Sequence, residues 1–329
     1  MELNLRELSG QPDMLAPGHS LCPGCVESVV VRQILHVAGP NTVVVSATGC
    51  LSVSTSPYPF TAWRVPWIHN LFANAGATVA GIEAAYKSLV RSGRIDGDKK
   101  VNFLVFGGDG GTYDIGLQSL SGALERGHRF LYVCLNNEAY MNTGIQRSSA
   151  TLPGTWTTTS HVGSVLPGKV EPRKDLTAIV AAHGTPFVAQ ASPHLWKDVM
   201  RKVETALDKE GPSFINLLAP CPRGWRTGPE LGIQLGRVAV ETCIWPIYEI
   251  NDGVWKLNVR PRQKKPVSEW LEIQGRFAHL LKPERRSEVE RIQNMVDRAW
   301  DELLARCNVA EPPAERKTAP DRGPKPVAV

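Results

Sequence analysis

Two apolar segments that each stop abruptly at a cluster of small polar residues constrain the fold most. The segment KVNFLVF runs into the glycine-rich stretch around Asp109, and RFLYVCL runs into the pair Asn136–Asn137. Neither segment alternates apolar with polar residues, which is typical of strands buried on both faces. Between them, residues 114–127 (DIGLQSLSGALERG) carry apolar residues at helical spacing. Strand, glycine turn, helix and strand form the βαβ unit of a doubly wound parallel sheet, which binds ligands at the carboxyl ends of its strands.

Further segments continue this pattern along the chain. TVVVSATG and SFINLLAPCP predict two more buried strands, and ESVVVRQILHVAG and NLFANAGATVAGIEAAYKSLVRSG predict helices. We therefore predict an α/β fold with a doubly wound, mainly parallel sheet and loop-rich segments. We assign residues 1–221, where the sheet is expected to end, to one ligand-binding domain, and 222–307 to a C-terminal extension that packs on the same domain or on a partner subunit. Residues 222–275 are expected to be irregular, with strand-like fragments such as AVETCIWPIYEI and VWKLNV. Residues 308–329 have the composition of a disordered tail.

Charge and composition exclude several classes of function. The 37 basic and 32 acidic residues are scattered along the chain, and the net charge of +5 is too weak and diffuse for a nucleic-acid-binding surface. The sequence contains no run of about 18 apolar residues, and its start lacks the pattern of a signal peptide. We therefore expect no nucleic-acid partner, no membrane association and a cytoplasmic location.

The polar clusters that end the two central strands suit a small divalent cation. Because the carboxyl ends of adjacent parallel strands meet at one edge of a sheet, Asp109 and Asn137 are expected to lie close together. A carboxylate, an amide oxygen, a backbone carbonyl and a diphosphate are ligands that Mg²⁺ accepts, and glycines let backbone N–H groups approach phosphate oxygens. An ordinary glycine turn and an asparagine strand end are the alternative. The glycine spacing matches neither a dinucleotide fingerprint nor a P-loop.

Seven cysteines, an odd number in a chain without a secretion signal, favour metal or redox chemistry over disulfides. Cys22 and Cys25 share a tight Pro-Gly loop, Cys50 follows the strand TVVVSATG, and Cys221 follows the strand SFINLLAP. Four thiolates near the expected diphosphate site suit either a structural Zn²⁺ ion or a [4Fe–4S] cluster, and the sequence pattern leaves both open. Cys134 lies inside a hydrophobic strand and is expected to be an inert core residue. Cys243 and Cys307 are expected to have packing or surface roles.

Two loops have expected roles beside these sites. Residues 141–172 are rich in Ser, Thr and Gly, and a loop of this length inside a compact domain is usually functional. An aromatic segment before residue 70 is expected to pack around the cysteine-bearing loop and to keep water from it. Its members are Tyr58, Phe60, Trp63 and Trp67.

The two constellations together resemble a known family. GDG, followed after 25 intervening residues by NN, is similar to the thiamine diphosphate signature. With the cysteines, the sequence resembles the β subunit of 2-oxoacid:ferredoxin oxidoreductases, most closely the pyruvate type. The similarity runs over about residues 15–280, through GHSLCPGC, ATGCL, YPFTAWRVPWIHN, GDGGTYDIG, NNEAYMNTGIQRS and APCPRGW. It implies the thiamine-diphosphate-binding form of the doubly wound fold, with thiamine diphosphate, Mg²⁺ and a [4Fe–4S] cluster as cofactors.

The resemblance also implies roles for individual residues. The implied Mg²⁺ ligands are Asp109, Asn137 and the backbone oxygen of Ala139. The implied cluster ligands are Cys22, Cys25, Cys50 and Cys221. The residues implied to bind the coenzyme are Glu27, Gly49, Cys50, Gly108, Asp109, Gly110, Gly111, Asn137, Asn142 and Thr143. Asn142 and Thr143 are also the catalytic candidates, near the substrate carboxylate and the thiazolium, with a turn-capping role as the alternative. For Glu27 the alternative is a glutamate that favours a helix start.

The activity that the resemblance implies is the CoA-dependent oxidative decarboxylation of a 2-oxoacid to acyl-CoA, CO2 and a reduced electron carrier, or the reverse. Pyruvate is the expected substrate. The implied partners are α, γ and ferredoxin-like δ subunits, with ferredoxin or another electron acceptor. One partner is expected to supply the glutamate for the aminopyrimidine ring, so the chain is expected to be active only in a complex. The alternatives are another 2-oxoacid such as phenylglyoxylate, a cluster-free thiamine decarboxylase with structural zinc, and a zinc-stabilised assembly subunit without activity.

Overall fold

A single eight-stranded sheet forms the centre of the molecule. The computed structural model describes residues 4–308. The strands are β1 (Thr42–Ala47), β2 (Trp67–Asn70), β3 (Asn102–Gly108), β4 (Leu131–Asn136), β5 (Phe187–Ala191), β6 (Ser213–Leu218), β7 (Ile247–Asn251) and β8 (Val254–Val259). Their order is β2-β1-β3-β4-β6-β5-β7-β8, and the first six are mutually parallel. The predicted α/β class with a doubly wound, mainly parallel sheet is confirmed.

The helices lie between the strands and at both ends of the described chain. They are α1 (Leu5–Ser9), α2 (Val26–Ala38), α3 (Cys50–Thr55), α4 (Ala75–Arg91), α5 (Leu117–Glu125), α6 (Leu176–Ala181), α7 (Trp196–Leu207), α8 (Pro222–Trp225), α9 (Gly232–Glu241), α10 (Ser268–Glu272) and α11 (Arg286–Arg306). One π-helical turn, Gly110–Ile115, joins β3 to α5, and short 3₁₀ turns cover Pro229–Leu231, Gly275–Leu281 and Pro283–Arg285.

Helices cover both faces of the sheet, and each face has its own core. In β3, Phe103 and Val105 pack under α4 and α5, whereas Leu104 and Phe106 pack in the core beneath α2 and α7. Successive side chains of a strand point to opposite faces, so a strand covered on both sides is apolar throughout. This explains why the central strands are recognisable in the sequence. Cys134, on β4, is fully buried in the first of these cores, as predicted.

The chain changes direction across the sheet at β1. The next strand, β2, lies on one side of β1, and β3 lies on the other. Such a change of winding direction opens a crevice outside the carboxyl ends of the two adjacent strands, where doubly wound proteins bind ligands. Here the crevice lies between the segment after Ala47 and the segment after Gly108.

The expectation that the sheet ends near residue 221 is wrong. Strand β7 pairs antiparallel with β5, and β8 pairs antiparallel with β7, so residues beyond 221 extend the sheet by a hairpin. The chain over 222–275, expected to be irregular, also contains α9 and α10. The strand-like fragments AVETCIWPIYEI and VWKLNV do contribute strands, β7 and β8. The side chains of β8 are partly exposed, as is common in an antiparallel edge strand.

Two parallel strands were also missed. The four residues of β2 form the other edge of the sheet, and their half-exposed side chains gave no run of buried apolar residues. Strand β5 is fully buried but short. The predicted disordered tail lies, from residue 309 onward, outside the described residues. Within residues 4–308, no helix is both long enough and apolar enough to cross a bilayer.

Candidate cofactor site

Most of the predicted site residues line one crevice at the point where the winding direction changes. The crevice has about 460 Å³ of open space beyond the carboxyl ends of β1, β3 and β4. Its walls include Glu27, Gly49, Cys50, Gly108, Gly110, Gly111, Asn137, Ala139, Asn142 and Thr143. Asp109 is fully buried, and its carboxylate accepts the backbone N–H of Asn137 at 3.2 Å. The fold therefore brings the two polar strand ends together, as their positions in the sequence predict.

The three predicted magnesium ligands converge. The side-chain amide of Asn137 lies 2.9 Å from Asp109 Oδ1 and 2.8 Å from the backbone oxygen of Ala139. When Asn137 Nδ2 donates to Glu27 Oε1 at 3.3 Å, the amide oxygen faces these two oxygens, which is favourable only with a cation among them. In the opposite orientation the amide nitrogen donates to both oxygens. An octahedral Mg²⁺ ion holds neighbouring ligand oxygens about 2.9 Å apart, so the first orientation fits that ion.

The turn that carries two of these ligands has an unusual backbone conformation. Glu138, between Asn137 and Ala139, has φ of +66°, in the left-handed region that residues other than glycine seldom adopt. Its buried carboxylate pairs with Arg276, with Nη2 2.6 Å from Oε2, and with Arg173. Burial lowers the pKa of Arg276 to about 10, so the guanidinium stays charged at neutral pH. These two ion pairs hold the Asn137–Ala139 turn in place through the side chain of Glu138.

Desolvated acidic groups surround the same point. Burial raises the pKa of Asp109 to about 7, although a hydrogen bond from the Ser148 hydroxyl opposes the change. Burial likewise raises the pKa of Glu27 to about 7, and the Oε2 atom of Glu27 has no hydrogen-bond partner. Bound cations stabilise desolvated carboxylates, and an unsatisfied buried acceptor is rare without a missing donor. The donor set therefore fits a divalent ion together with a polar ligand.

The four predicted cluster ligands interact electrostatically with one another. Cys25 immediately precedes α2, Cys50 begins α3 and Cys221 immediately precedes α8. Burial raises the pKa of the Cys25 thiol, and the charges of Cys50 and Cys221 add to the rise. Burial also raises the pKa of the Cys50 and Cys221 thiols, and the charge of Cys22 raises both pKa values further. Thiols of this kind bind metal as thiolates and release protons when they do.

A structural Zn²⁺ ion and a [4Fe–4S] cluster place different demands on the spacing of four thiolates. In residues 4–308, no group of three or more His, Cys, Asp or Glu side chains is arranged to hold one metal ion. A structural Zn²⁺ ion needs four ligands at about 2.0–2.3 Å from one point. In a [4Fe–4S] cluster each thiolate binds a different iron atom, so the four sulfurs stand farther apart. The assignment of the four cysteines to a [4Fe–4S] cluster stays a prediction.

The two catalytic candidates lie on the crevice wall. Burial raises the pKa of the Cys50 thiol, and a hydrogen bond with Asn142 partly opposes this. Asn142 therefore lines the crevice and contacts a predicted cluster ligand. Thr143 Oγ1 donates to Gln146 Oε1 at 2.5 Å, and Gln146 Nε2 donates back to the Thr143 carbonyl oxygen at 2.8 Å. Thr143 thus stabilises a turn at the rim, and the catalytic roles of both residues stay predictions.

Two glycines permit close approaches that a side chain would prevent. Gly24, in the Cys-Pro-Gly-Cys loop, has φ of +75°, and a Cβ atom there would lie 2.1 Å from the backbone oxygen of Pro229. A Cβ atom on Gly110 would lie 2.4 Å from the ring of Tyr140. The first contact fixes the cysteine loop against the segment after α8. The second closes one wall of the crevice.

The aromatic segment packs only in part as predicted. Trp63 is buried and stacks on Trp67, with ring centroids 6.1 Å apart. Tyr58 and Phe60 are instead 98% and 75% exposed, so the expectation that they pack around the cysteine loop is wrong for these two residues. They belong to the turn between α3 and β2, where no second layer of the described residues covers them.

Three residues that shape the site were not identified from the sequence. The Ser148 hydroxyl donates to Asp109 Oδ2, the Trp225 Nε1–H donates to the Asn137 carbonyl oxygen at 2.8 Å, and Arg276 pairs with Glu138. Ser148 lies in the long loop that was expected to be functional. Trp225 lies in the APCPRGW segment, whereas nothing in the sequence around Arg276 marks its role.

The fold and the crevice define a class of enzyme. Residues 47–217 match the family model described as "Thiamine pyrophosphate enzyme, C-terminal TPP binding domain". This match spans more than half of the chain, and it begins at the end of β1 and ends within β6. The chain belongs to the thiamine-diphosphate-dependent enzymes.

Within that class, the chain is a β subunit of the 2-oxoacid:ferredoxin oxidoreductase family, of the pyruvate type. It is 50% identical over 312 residues to pyruvate synthase subunit PorB of Thermotoga maritima, and the matched region covers 92% of this chain and 96% of the relative. It is 53% identical over 285 residues to the subunit of the same name from Methanocaldococcus jannaschii, which covers 87% and 94%. Ketoisovalerate oxidoreductase subunit VorB of Pyrococcus horikoshii is 41% identical over 288 residues, which covers 87% and 91%. The chain is thus part of an oxidoreductase that acts with partner subunits.

A solved structure confirms the fold independently. The chain superposes with a TM-score of 0.53 on a 2-oxoglutarate:ferredoxin oxidoreductase from Magnetococcus marinus, determined with 2-oxoglutarate, coenzyme A and succinyl-CoA bound. The sequence identity is 20%, and the match covers 68% of this chain and 79% of that chain. At this identity the likeness extends to the architecture alone.

Proposed function

We propose that this chain carries thiamine diphosphate, Mg²⁺ and a [4Fe–4S] cluster in a CoA-dependent 2-oxoacid:acceptor oxidoreductase whose substrate is pyruvate. The observation that carries the proposal is the convergence of Asp109, Asn137 and the Ala139 backbone oxygen beside a crevice that Cys50 also lines. The choice of pyruvate is supported by relatives named pyruvate synthase, whose identity to this chain exceeds that of the ketoisovalerate relative.

The magnesium ion would be held by Asp109 Oδ1, Asn137 Oδ1 and the Ala139 backbone oxygen, with the coenzyme's diphosphate completing its octahedron. The glycine-rich start of the π-helical turn, Gly110–Ile115, leaves its backbone N–H groups accessible to phosphate oxygens. The unpartnered Oε2 atom of Glu27 would accept a hydrogen bond from the coenzyme on the same side of the crevice. The magnesium ligands, the π-helical turn and Glu27 would be the contribution of this subunit to orienting the coenzyme.

The cluster would be held by Cys22, Cys25, Cys50 and Cys221. When bound, the coenzyme supplies a carbanion that attacks the ketone of the 2-oxoacid, and the cluster supplies an exit for single electrons. Cys50 belongs to both sites, since its residue lines the crevice and its thiol interacts with the other cysteines. The Asn142 amide, which hydrogen-bonds the Cys50 thiol, is available on the crevice side to orient a substrate carboxylate.

The complete enzyme would need further chains. We propose α, γ and ferredoxin-like δ subunits as partners, with one of them supplying the carboxylate for the aminopyrimidine ring. CoA would accept the acyl group, and ferredoxin or another carrier would accept the electrons. The crevice is only partly enclosed by the described residues, which leaves room for a second subunit to complete the coenzyme pocket.

Anaerobic purification of the whole complex tests this proposal. We expect bound thiamine diphosphate and magnesium, iron and acid-labile sulfide at the cysteine site, and little zinc. In assays with a panel of 2-oxoacids, kcat/KM should be highest for pyruvate, and reduction of the acceptor should require CoA. Zinc in place of iron, or release of CO2 without CoA and without acceptor reduction, would show a cluster-free decarboxylase instead.

A further inference from the structure

One buried side chain connects the two proposed cofactor sites. Trp225 ends α8, the short helix that follows Cys221, and its backbone N–H donates to the Cys221 carbonyl oxygen at 2.9 Å. Its indole Nε1–H donates to the carbonyl oxygen of Asn137 at 2.8 Å. The side chain is fully buried. The same residue is therefore hydrogen-bonded to a proposed cluster ligand and to a proposed magnesium ligand.

Packing fixes the indole in this position. The guanidinium of Arg276 lies over its ring at 4.0 Å, and the ring of Trp270 meets it edge-on with centroids 5.4 Å apart. Arg276 in turn pairs with Glu138, the residue after Asn137. The indole and the guanidinium thus hold adjacent residues of the same turn. Rotation of the indole would break the stacking and the hydrogen bond together.

The hydrogen bond acts on the peptide unit whose orientation decides the geometry of the magnesium site. The carbonyl of that unit, from Asn137, accepts from Trp225, and its N–H, from Glu138, donates to Asn136 Oδ1 at 3.1 Å. A left-handed conformation such as that of Glu138 costs free energy and persists only when its surroundings enforce it. Without the indole donor, this peptide can rotate, and the oxygens of Asn137 and Ala139 then no longer face Asp109.

We propose that Trp225 is a positioning residue for magnesium binding, which holds the Asn137–Ala139 turn in a fixed relation to Cys221. The inference rests on the proposed function. Trp225 is not among the residues that line the crevice, so it acts through Asn137. Its consequence is specific: loss of the indole N–H weakens magnesium-dependent coenzyme binding and leaves the cluster in place.

Trp225→Phe tests the proposal in the purified complex, because phenylalanine keeps an aromatic ring beneath Arg276 and removes the donor. The matched control is Trp245→Phe. Its buried ring lies under Arg173, the other partner of Glu138, but its indole N–H donates to the Ala191 carbonyl oxygen at 2.9 Å and not to the Asn137–Ala139 turn. The readouts are the Mg²⁺ concentration that half-saturates thiamine diphosphate binding, the iron content, and kcat and KM for pyruvate at saturating Mg²⁺.

We expect Trp225→Phe to raise the half-saturating Mg²⁺ concentration about fivefold, the effect of one lost hydrogen bond. The iron content and the KM for pyruvate should equal those of Trp245→Phe. Equal Mg²⁺ dependence in the two variants would overturn the proposal. Loss of iron and thermal stability together with the coenzyme in Trp225→Phe alone would also overturn it, since that pattern belongs to a packing residue.

A second variant covers the case in which Trp225→Phe does not fold. Arg276→Lys keeps the charge that pairs with Glu138 but removes the planar group that stacks on the indole. We expect a rise in the half-saturating Mg²⁺ concentration smaller than fivefold, and no change would overturn the proposal. A wild-type complex that binds no thiamine diphosphate in the presence of Mg²⁺ would instead refute the proposed function, so the two failures are distinguishable.

Discussion

Replacement of Asp109 by asparagine tests the proposed magnesium site with a minimal change. Asp109 is the only formally charged group among the three proposed ligands, and it is fully buried. An asparagine of the same shape can still accept the Asn137 backbone N–H, which now lies 3.2 Å from Asp109 Oδ1. The fold should therefore persist, while the anionic ligand is lost. The cysteines are not touched, so the iron content should stay close to that of the wild type.

The expected effect is large. Loss of a group that merely orients a metal ligand typically costs about 10–100-fold in affinity, and removal of the charged ligand itself should exceed that range. We therefore expect the Mg²⁺ concentration that half-saturates thiamine diphosphate binding to rise more than about 100-fold, which is more than about 2.7 kcal/mol. Equilibrium binding to the purified complex over a range of Mg²⁺ concentrations measures it.

Asp114→Asn is the matched control. Asp114 lies in the π-helical turn that Asp109 precedes, and its carboxylate also accepts from a serine of the long loop, Ser149, as that of Asp109 does from Ser148. Asp114 does not line the crevice. We expect its variant to bind the coenzyme with nearly unchanged Mg²⁺ dependence. If Asp109→Asn retains thiamine diphosphate as the wild type does, or if both variants lose it equally, the magnesium site is misplaced.

Three further predictions concern the cysteine site and the stability of the fold. Cys221→Ala should strip or destabilise the cluster, and unchanged iron and acid-labile sulfide would remove Cys221 from the ligand set. Gly24→Ala should reduce iron content far more than Gly39→Ala, because both glycines have positive φ but only Gly24 faces backbone at contact distance; equal iron contents would contradict this. Glu83 is buried, which opposes its charge, but pairing with Lys87 lowers its pKa below 4.5 overall. The ionised form of Glu83 therefore stabilises the fold fully above pH 4.5, and this stabilisation is lost as the pH falls further. Glu83→Gln should reduce the free energy of unfolding, measured with urea, more at neutral pH than well below pH 4.5. A loss that does not depend on pH would refute this.

The sequence predicted the centre of the sheet because β3 and β4 are covered on both faces. Strands of that kind are apolar throughout, and the polar residues that end them, Asp109 and Asn137, stand out. Parallel pairing then brings those residues to one edge without further information. The backbone oxygen of Ala139 has no signature of its own, and only the family resemblance marked it.

Other features depend on contacts that no local pattern encodes. Arg276 meets Glu138 across 138 positions of sequence, and the residue type of Glu138 does not indicate its left-handed conformation. Strands at the edges of the sheet, such as β2 and β8, are partly exposed and lack a continuous apolar run. The exposure of Tyr58 and Phe60 shows the same limit, since an aromatic residue in a loop does not reveal whether its own chain covers it.

The central claim is that four cysteines hold a [4Fe–4S] cluster beside a magnesium-bound thiamine diphosphate. A crystal structure of the complex, with anomalous scattering recorded at the iron and zinc absorption edges, tests it most directly. We predict iron scattering enclosed by the sulfurs of Cys22, Cys25, Cys50 and Cys221, and a diphosphate whose magnesium ion contacts Asp109. Zinc scattering at the cysteines, or a crevice in which Asp109 and Asn137 contact no bound diphosphate, would contradict it.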